Sequence, residues 1–175
     1  MIRDLIEKTR SYRRFHQDFK IELETLKELV ELARLSAAAG NLQPLKYMLA
    51  NEPEKNDTIF PNLGWAGYLK DWPGPGEGER PSAYIIVLGD KRICKSFGCD
   101  HGIASPNILL RAVETGLGGC MIGSVHRDRL RKDLDISDHF EILLVLALGK
   151  PKESVVLEEV RSDGNIKYWR DSDGV

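Results

Sequence analysis

Cysteine is scarce: Cys94, Cys99 and Cys120 are the three in 175 residues. An odd number without a secretory context excludes a disulfide framework as the source of stability. Long apolar runs are also missing. The longest, Ile142 to Leu148, is strand-sized, against the roughly 20 residues a membrane span needs. Neither sign of charge dominates: 25 Lys+Arg against 27 Asp+Glu leave a formal net charge of -2, which argues against a protein built to coat nucleic acid. The opening Met1-Ile2-Arg3-Asp4 has no apolar signal-peptide core. There is no Gly-x-Ser-x-Gly elbow and no His-Glu-x-x-His helix, and Gly149-Lys150 runs into Pro151 rather than completing a P-loop. His16, His101, His126 and His139 are scattered. The sequence therefore offers no nucleophile and no triad, and an enzyme with this inventory borrows its chemistry from a cofactor. These absences predict a soluble, cytoplasmic single domain over residues 1–175, with no membrane or nucleic-acid partner.

What is present divides into helices and strands. Ile2, Leu5 and Ile6 recur at helical spacing and predict a short helix over 2–9. Leu23, Leu26, Leu29, Val30 and Ala33 make the stripe of a helix from 22 to 38, stopped by Gly40. Residues 45–49 read as a strand closed by an Asn51-Glu52-Pro53 turn. The stretch from 56 to 80, rich in Gly, Pro and Trp, is expected to be mostly irregular and, being long for a structureless loop, either functional or interrupted by a short helix around 64–70. Tyr84 to Leu88 predicts a buried strand, and Asp100 can cap a helix to about Gly116 that Pro106 should kink or delay. A short strand at Met121-Ile122, a polar helix over 126–134 and an apolar strand over 141–148 complete three or four strands spread among helices, an α+β or α/β pattern.

Two motifs stand out, each with two readings. The first twenty residues hold six Lys/Arg against three Asp/Glu, concentrated in Arg10-Ser11-Tyr12-Arg13-Arg14. Guanidiniums three residues apart with a hydroxyl between them can converge on a phosphate, although such runs are often solvated faces. Gly116-Leu117-Gly118-Gly119, with Gly123 beyond, lets a backbone approach a flat ligand closely, or simply ends a helix. The glycines follow a helix and precede a strand, the reverse of a dinucleotide-binding fingerprint. Cys94, Cys99, Asp100 and His101 lie close together, but their spacing is not a zinc pattern and no second ligand pair follows, so no metal is expected.

Thr9-Arg10-Ser11-Tyr12-Arg13-Arg14-Phe15 resembles the opening Arg-Ser-x-Arg-x-Phe motif of the FMN-dependent nitroreductase family. In the same order come Asn41-Leu42-Gln43-Pro44, which resembles its Asn-x-Gln-Pro, and Asn107 to Ala112 followed by Gly116 to Gly123, similar to its long helix and Gly-Leu-Gly turn. Ala147-Leu148-Gly149-Lys150-Pro151 resembles its last core strand. The resemblance implies an α+β fold with a mostly antiparallel central sheet flanked by helices. It implies a homodimer with FMN at the subunit interface, and ping-pong transfer of a nicotinamide hydride from NAD(P)H through flavin N5 to a small acceptor: a nitroaromatic, quinone, enone or flavin. It implies that Arg10, Ser11 and Arg13 hold the phosphate and ribityl chain, that Asn41 and Gln43, from the other subunit or close to its contribution, lie near the flavin, and that the backbone of Cys120, Met121, Ile122 and Gly123 faces the ring, with no catalytic side chain. A flavin-binding carrier or sensor without turnover is the alternative. Leu45 stands where many members have an aromatic residue. Arg161, Lys167 and Arg170 are the candidates for the second half of the phosphate clamp, and Trp65, Tyr68 and Trp72 for a lid or a loop anchor.

Overall fold

The protein is described here by a computed structural model covering residues 1–171. The described residues form five strands and five α-helices in the order α1 (Ile2–Lys8), β1 (Phe15–His16), α2 (Leu23–Arg34), β2 (Leu45–Ala50), α3 (Pro53–Ile59), β3 (Ala83–Asp90), α4 (Asp100–Glu114), β4 (Gly118–Ile122), α5 (Arg127–Asp133) and β5 (Phe140–Pro151). The sheet is antiparallel throughout. Its order is β1-β5-β3-β2, with β4 also paired to β5.

The apolar runs of β3 and β5 are continuous because both faces of the sheet are covered. Ala83, Ile85 and Val87 face one core with Leu26 and Leu29 of α2 and Ile108 and Ala112 of α4. Tyr84, Ile86 and Leu88 face a second core with Ile59 and Leu130. The β3–β5 register shifts between Val87, opposite Leu144, and Leu88, opposite Ile142. Such a bulge frees ladder groups, and Arg127 answers it by donating to the carbonyls of Ile142 (2.8 Å) and Leu143 (3.0 Å).

Several expectations need correction. Pro53 opens α3 at its first turn, where its fixed φ and missing N–H cost nothing, so the turn expected at 51–53 is a helix start. The helix expected at 64–70 is absent; α3 and a 3-10 turn at Phe60–Asn62 precede it instead. The second helix ends at Arg34 rather than 38, with Leu35 as its C-cap and the Ser36 hydroxyl on the Leu32 carbonyl. Pro106 lies inside a continuous α4 and does not delay its start. Cys99 occupies the N-cap, and the Asp100 carboxylate accepts instead from the Ala39 N–H (3.0 Å). The described sheet has five strands, more than the three or four expected, because the two-residue β1 carries no apolar run.

Candidate functional site

After α1 the chain runs along the outer edge of β4. Ser11 forms a parallel bridge with Gly119, and the Tyr12 N–H donates to the Gly119 carbonyl (3.1 Å). This pairing sets the basic segment against the glycine-rich strand.

The glycines divide by role. Gly116 (φ +79°) ends α4: its N–H bonds Val113 O (3.0 Å) and the Leu117 N–H bonds Ala112 O (2.8 Å), the double closure of a Schellman cap. A Cβ on Gly118 would lie 2.6 Å from the Tyr12 ring, and one on Gly119 2.7 Å from the Ala147 carbonyl. These two glycines therefore admit protein, not ligand. Only Gly123 of the strand's continuation has nothing within 4 Å. Cys120 and Ile122 are buried and Met121 is exposed, so from 120 to 123 it is backbone, rather than a reactive side chain, that borders the strand's outer edge. Burial pushes the Cys120 thiol up despite the lowering influence of Arg13 and Ser11 beside it, so it stays protonated.

Arg10 donates through Nη2 to the Ile6 carbonyl (2.7 Å), while its Nε is buried without a partner. Arg13 donates to the Ser11 carbonyl (3.2 Å) and lies 4.8 Å from the centre of the Tyr168 ring. Arg14 is spent elsewhere, gripping Glu79 through Nε and Nη2 at 2.7 Å each. That grip, with Lys152 at 3.1 Å, holds the Glu79 carboxyl down at about 2.

Sequence reasoning missed Glu153. Its carboxylate accepts the backbone N–H groups of Arg13 and Arg14 and the Arg170 guanidinium (2.8 Å), and its side chain is 4% exposed. The available signal was positional: Glu153 follows β5 by two residues, and β5 ends paired with β1, just after Arg13 and Arg14. From there residues 154–171 return over the basic segment. They enclose, with Ser11, Arg13 and Leu69, a cavity of about 450 Å³ to which Arg161, Lys167 and Arg170 all contribute. The three tail cations therefore gather on the side of Ser11 and Arg13. Of the proposed lid aromatics, Tyr68 packs on Tyr168 (5.0 Å) and Trp72 under Arg170 (4.1 Å). Trp65 instead fills the space over Gly74 and meets Phe60 (5.8 Å), anchoring its loop.

Asn41 and Gln43 lie elsewhere. Both have left-handed backbones (φ +54° and +51°), and Gln43 Nε2 donates to Asn41 Oδ1 (3.0 Å). Gln43 borders a separate cavity of about 450 Å³ beside α2, together with Tyr47, whose phenol burial pushes up to about 12 with help from Asp100. The two cavities share no residue. Within one chain, therefore, the segment from Arg10 to Arg13 runs beside Gly119 and Cys120 of β4, while Gln43, hydrogen-bonded to Asn41, lines a different cavity.

The profile of the Nitroreductase family matches residues 6–68 and 83–150. The chain belongs to the nitroreductase family. The matched stretches contain Arg10, Ser11, Arg13, Asn41, Gln43 and Cys120 to Gly123, but not Trp72, Glu153 or the tail cations. The loop bearing Trp72 and the tail from 151 fall outside them, and those two segments pack on each other. A protein of Archaeoglobus fulgidus with the provisional name NADH dehydrogenase/NAD(P)H nitroreductase is 27% identical over 153 residues, covering 83% of each chain. The fold agrees with a nitroreductase family protein from Streptococcus pneumoniae TIGR4 (TM-score 0.75, 16% identity, 97% of this chain and 100% of that one). It also agrees with an FMN-dependent nitroreductase from Clostridium difficile R20291 (TM-score 0.70, 20% identity, 96% and 97%). No helix among the described residues is long and apolar enough to cross a membrane.

Proposed function

We propose that this chain is a single-domain, cytoplasmic, homodimeric FMN-dependent oxidoreductase. It would transfer a hydride from NADH or NADPH to a small acceptor such as a nitroaromatic, a quinone, an enone or another flavin. The observation that carries the reading is the pairing of Ser11 and Tyr12 with Gly119, which sets a cationic segment beside an edge strand that presents backbone. What supports FMN is the basic segment: Arg10 keeps a buried donor without a partner, and Ser11 and Arg13 share a cavity with Arg161 and Lys167, which Glu158, Glu159 and Asp171 also line. FMN, when bound, supplies the hydride chemistry that no side chain here provides.

The chain's own part is binding and electrostatics. Arg10, Ser11 and Arg13 hold the phosphate and ribityl end through charge-assisted hydrogen bonds. Glu153 fixes the backbone of Arg13 and Arg14, so Arg13 meets the anion with only its side chain left to place. The backbone of Cys120, Met121, Ile122 and Gly123 offers fixed N–H dipoles to the ring edge, where they favour negative charge. Asn41 and Gln43 serve the site of a second copy, which accounts for their distance from this one; the left-handed backbone of Gln43 is strain of the kind found at binding sites. Nicotinamide and acceptor occupy the same place in turn.

The test is direct. Protein incubated with FMN and then gel-filtered should keep the flavin's two visible absorption bands and oxidise NADH or NADPH with menadione or nitrofurazone, giving parallel double-reciprocal lines. Loss of all flavin on filtration overturns the proposal. Retained flavin without turnover selects the carrier or sensor.

A further inference from the structure

A cavity of about 390 Å³ lies between the turn after β1, the start of α3 and the entry to β3. It falls within the size range of small-molecule sites. Its inner wall has an unusual property: four polar atoms there are buried and have no partner, namely Asn56 Oδ1, Arg80 Nε, Ser82 Oγ and the Tyr84 hydroxyl. Buried polar groups are nearly always paired, and each orphan costs free energy comparable to a lost hydrogen bond. Four around one cavity are a cluster. Tyr84 is 0% and Ser82 7% exposed, so neither is a surface group that bulk water satisfies.

The surroundings restrict what could pair with them. Asn56 spends its Nδ2 on the Ser82 carbonyl (2.8 Å), which leaves its oxygen as an acceptor. Arg80 is stacked 4.4 Å over the Phe60 ring, with Nη1 3.8 Å from Asp57, which leaves Nε–H as a donor. Burial raises the Tyr84 phenol far above its ordinary value, so it remains a hydroxyl that can donate. The inner wall is thus rich in donors and carries one guanidinium. The mouth is different: Asp18, Glu22 and Glu52 are exposed around it, with Lys20 as the sole counter-charge apart from the Arg80–Asp57 pair. A donor floor wants an acceptor group, and an acidic rim wants a cation.

We propose that this cavity binds a small zwitterion, its carboxylate against Arg80, Ser82 and Tyr84 and its ammonium at the acidic rim. The site is separate from the proposed flavin site and does not depend on it: no residue bordering one cavity borders the other.

The experiment is ¹⁵N–¹H NMR of the full chain titrated with 5-aminovalerate, valerate and pentylamine, followed at the amides of Asn56, Arg80, Ser82 and Tyr84. 5-Aminovalerate should give saturable shifts confined to these amides and their neighbours. Valerate and pentylamine, each with one pole, should bind at least about fivefold more weakly. Tyr84→Phe keeps the ring and deletes only the orphan oxygen, so it should fold with stability unchanged or raised, yet weaken 5-aminovalerate about tenfold. Arg80→Gln should do so at least as strongly. Equal binding of valerate or pentylamine overturns the two-pole ligand. Absence of saturable shifts up to high millimolar 5-aminovalerate, or shifts that survive both substitutions, overturns the site. Flavin content read from the same samples keeps the two sites' failures apart: Tyr84→Phe should leave it untouched.

Discussion

Arg13 and Arg14 are neighbours of identical chemistry that the fold puts to different uses. Arg14 forms a two-bond clamp on Glu79 and belongs to the scaffold, whereas Arg13 faces the tail cavity. Arg13→Ala should cost one charge-assisted bond to phosphate, about 10- to 150-fold in FMN affinity, while riboflavin binding stays nearly unchanged; equal losses in fluorescence titrations would remove Arg13 from the phosphate site. The Arg14 clamp has a pH signature. The folded Glu79 carboxyl sits at about 2 against 4.5 for a free one, so its contribution is fully present above pH 4.5 and is lost as pH falls towards 2. Glu79→Gln should therefore destabilise by about 2 kcal/mol at neutral pH, and urea titrations should show the gap to wild type closing across that acid window. A gap that is constant with pH would show that the carboxylate's charge is not what the clamp uses. Cys120 tempts a redox role beside a flavin, yet its thiol is buried and pushed towards the protonated form, and a thiol rather than a thiolate is a poor nucleophile. Cys120→Ala should retain FMN and keep NAD(P)H oxidation within about tenfold, roughly 1.4 kcal/mol of barrier. A thousandfold loss with flavin retained would give the thiol a chemical role.

At the scale of elements, β4 separates packing glycines from an open one, and substitution can tell them apart. A methyl at Gly119 meets the Ala147 carbonyl at 2.7 Å, a backbone atom that cannot rotate away, and Leu109 and Leu148 at 2.8 Å. Gly119→Ala should cost about 1–3 kcal/mol of stability by overpacking. Gly123→Ala meets nothing within 4 Å and should stay within about 0.5 kcal/mol of wild type. If Gly123 borders the flavin, the second substitution should weaken FMN in titrations while leaving urea curves unmoved. These elements also show what the residues announced beforehand. The strands β3 and β5 were legible because apolar runs of that length have few other uses, and α2 because its stripe repeats with the helical period; α4 was read from Asp100 as a cap, a place that Cys99 takes. The helix α3 was hidden behind Pro53, which marks a turn and a first helical turn equally well. The strand β1 is two residues long and leaves no period to detect. In the candidate site, the basic segment and the glycine strand were each visible, but their contact arises from a parallel bridge that neither motif encodes. Glu153 was invisible because an isolated acid after a strand has no local signature; only the return of the tail gives it Arg170.

At the scale of the molecule, the unanswered surface lies on α1 and the end of α2. The helix α1 has seven residues and buries none of them, and a helix that short has little stability of its own. Ile2 is 63% and Ile6 52% exposed, and Leu35 at the end of α2 is 64% exposed. Leu5, Leu32, Leu35 and Leu110 border one groove between α1, α2 and α4. Single exposed apolar side chains need no explanation, but a contiguous group on a helix without buried anchors marks an interface. Beyond the same end of α2 lie Asn41 and Gln43, which share no cavity with Arg13 in their own chain. Under the proposed homodimer, a second copy covering this face would give α1 a partner surface and bring one chain's Asn41 and Gln43 towards the other's basic segment. Assembly and flavin binding are then thermodynamically linked: if FMN needs groups from two chains, FMN must tighten the dimer, and dilution must weaken FMN. Sedimentation should give a dimer at micromolar concentration. Leu35→Glu, which buries a charge in that face, should shift the species towards monomer and lower FMN affinity together, with Arg13 and β4 untouched. Adding FMN to the variant should recover dimer in proportion to flavin bound. An FMN-loaded monomer at micromolar concentration, from either protein, would mean that one chain completes the site alone and that the apolar face serves something else.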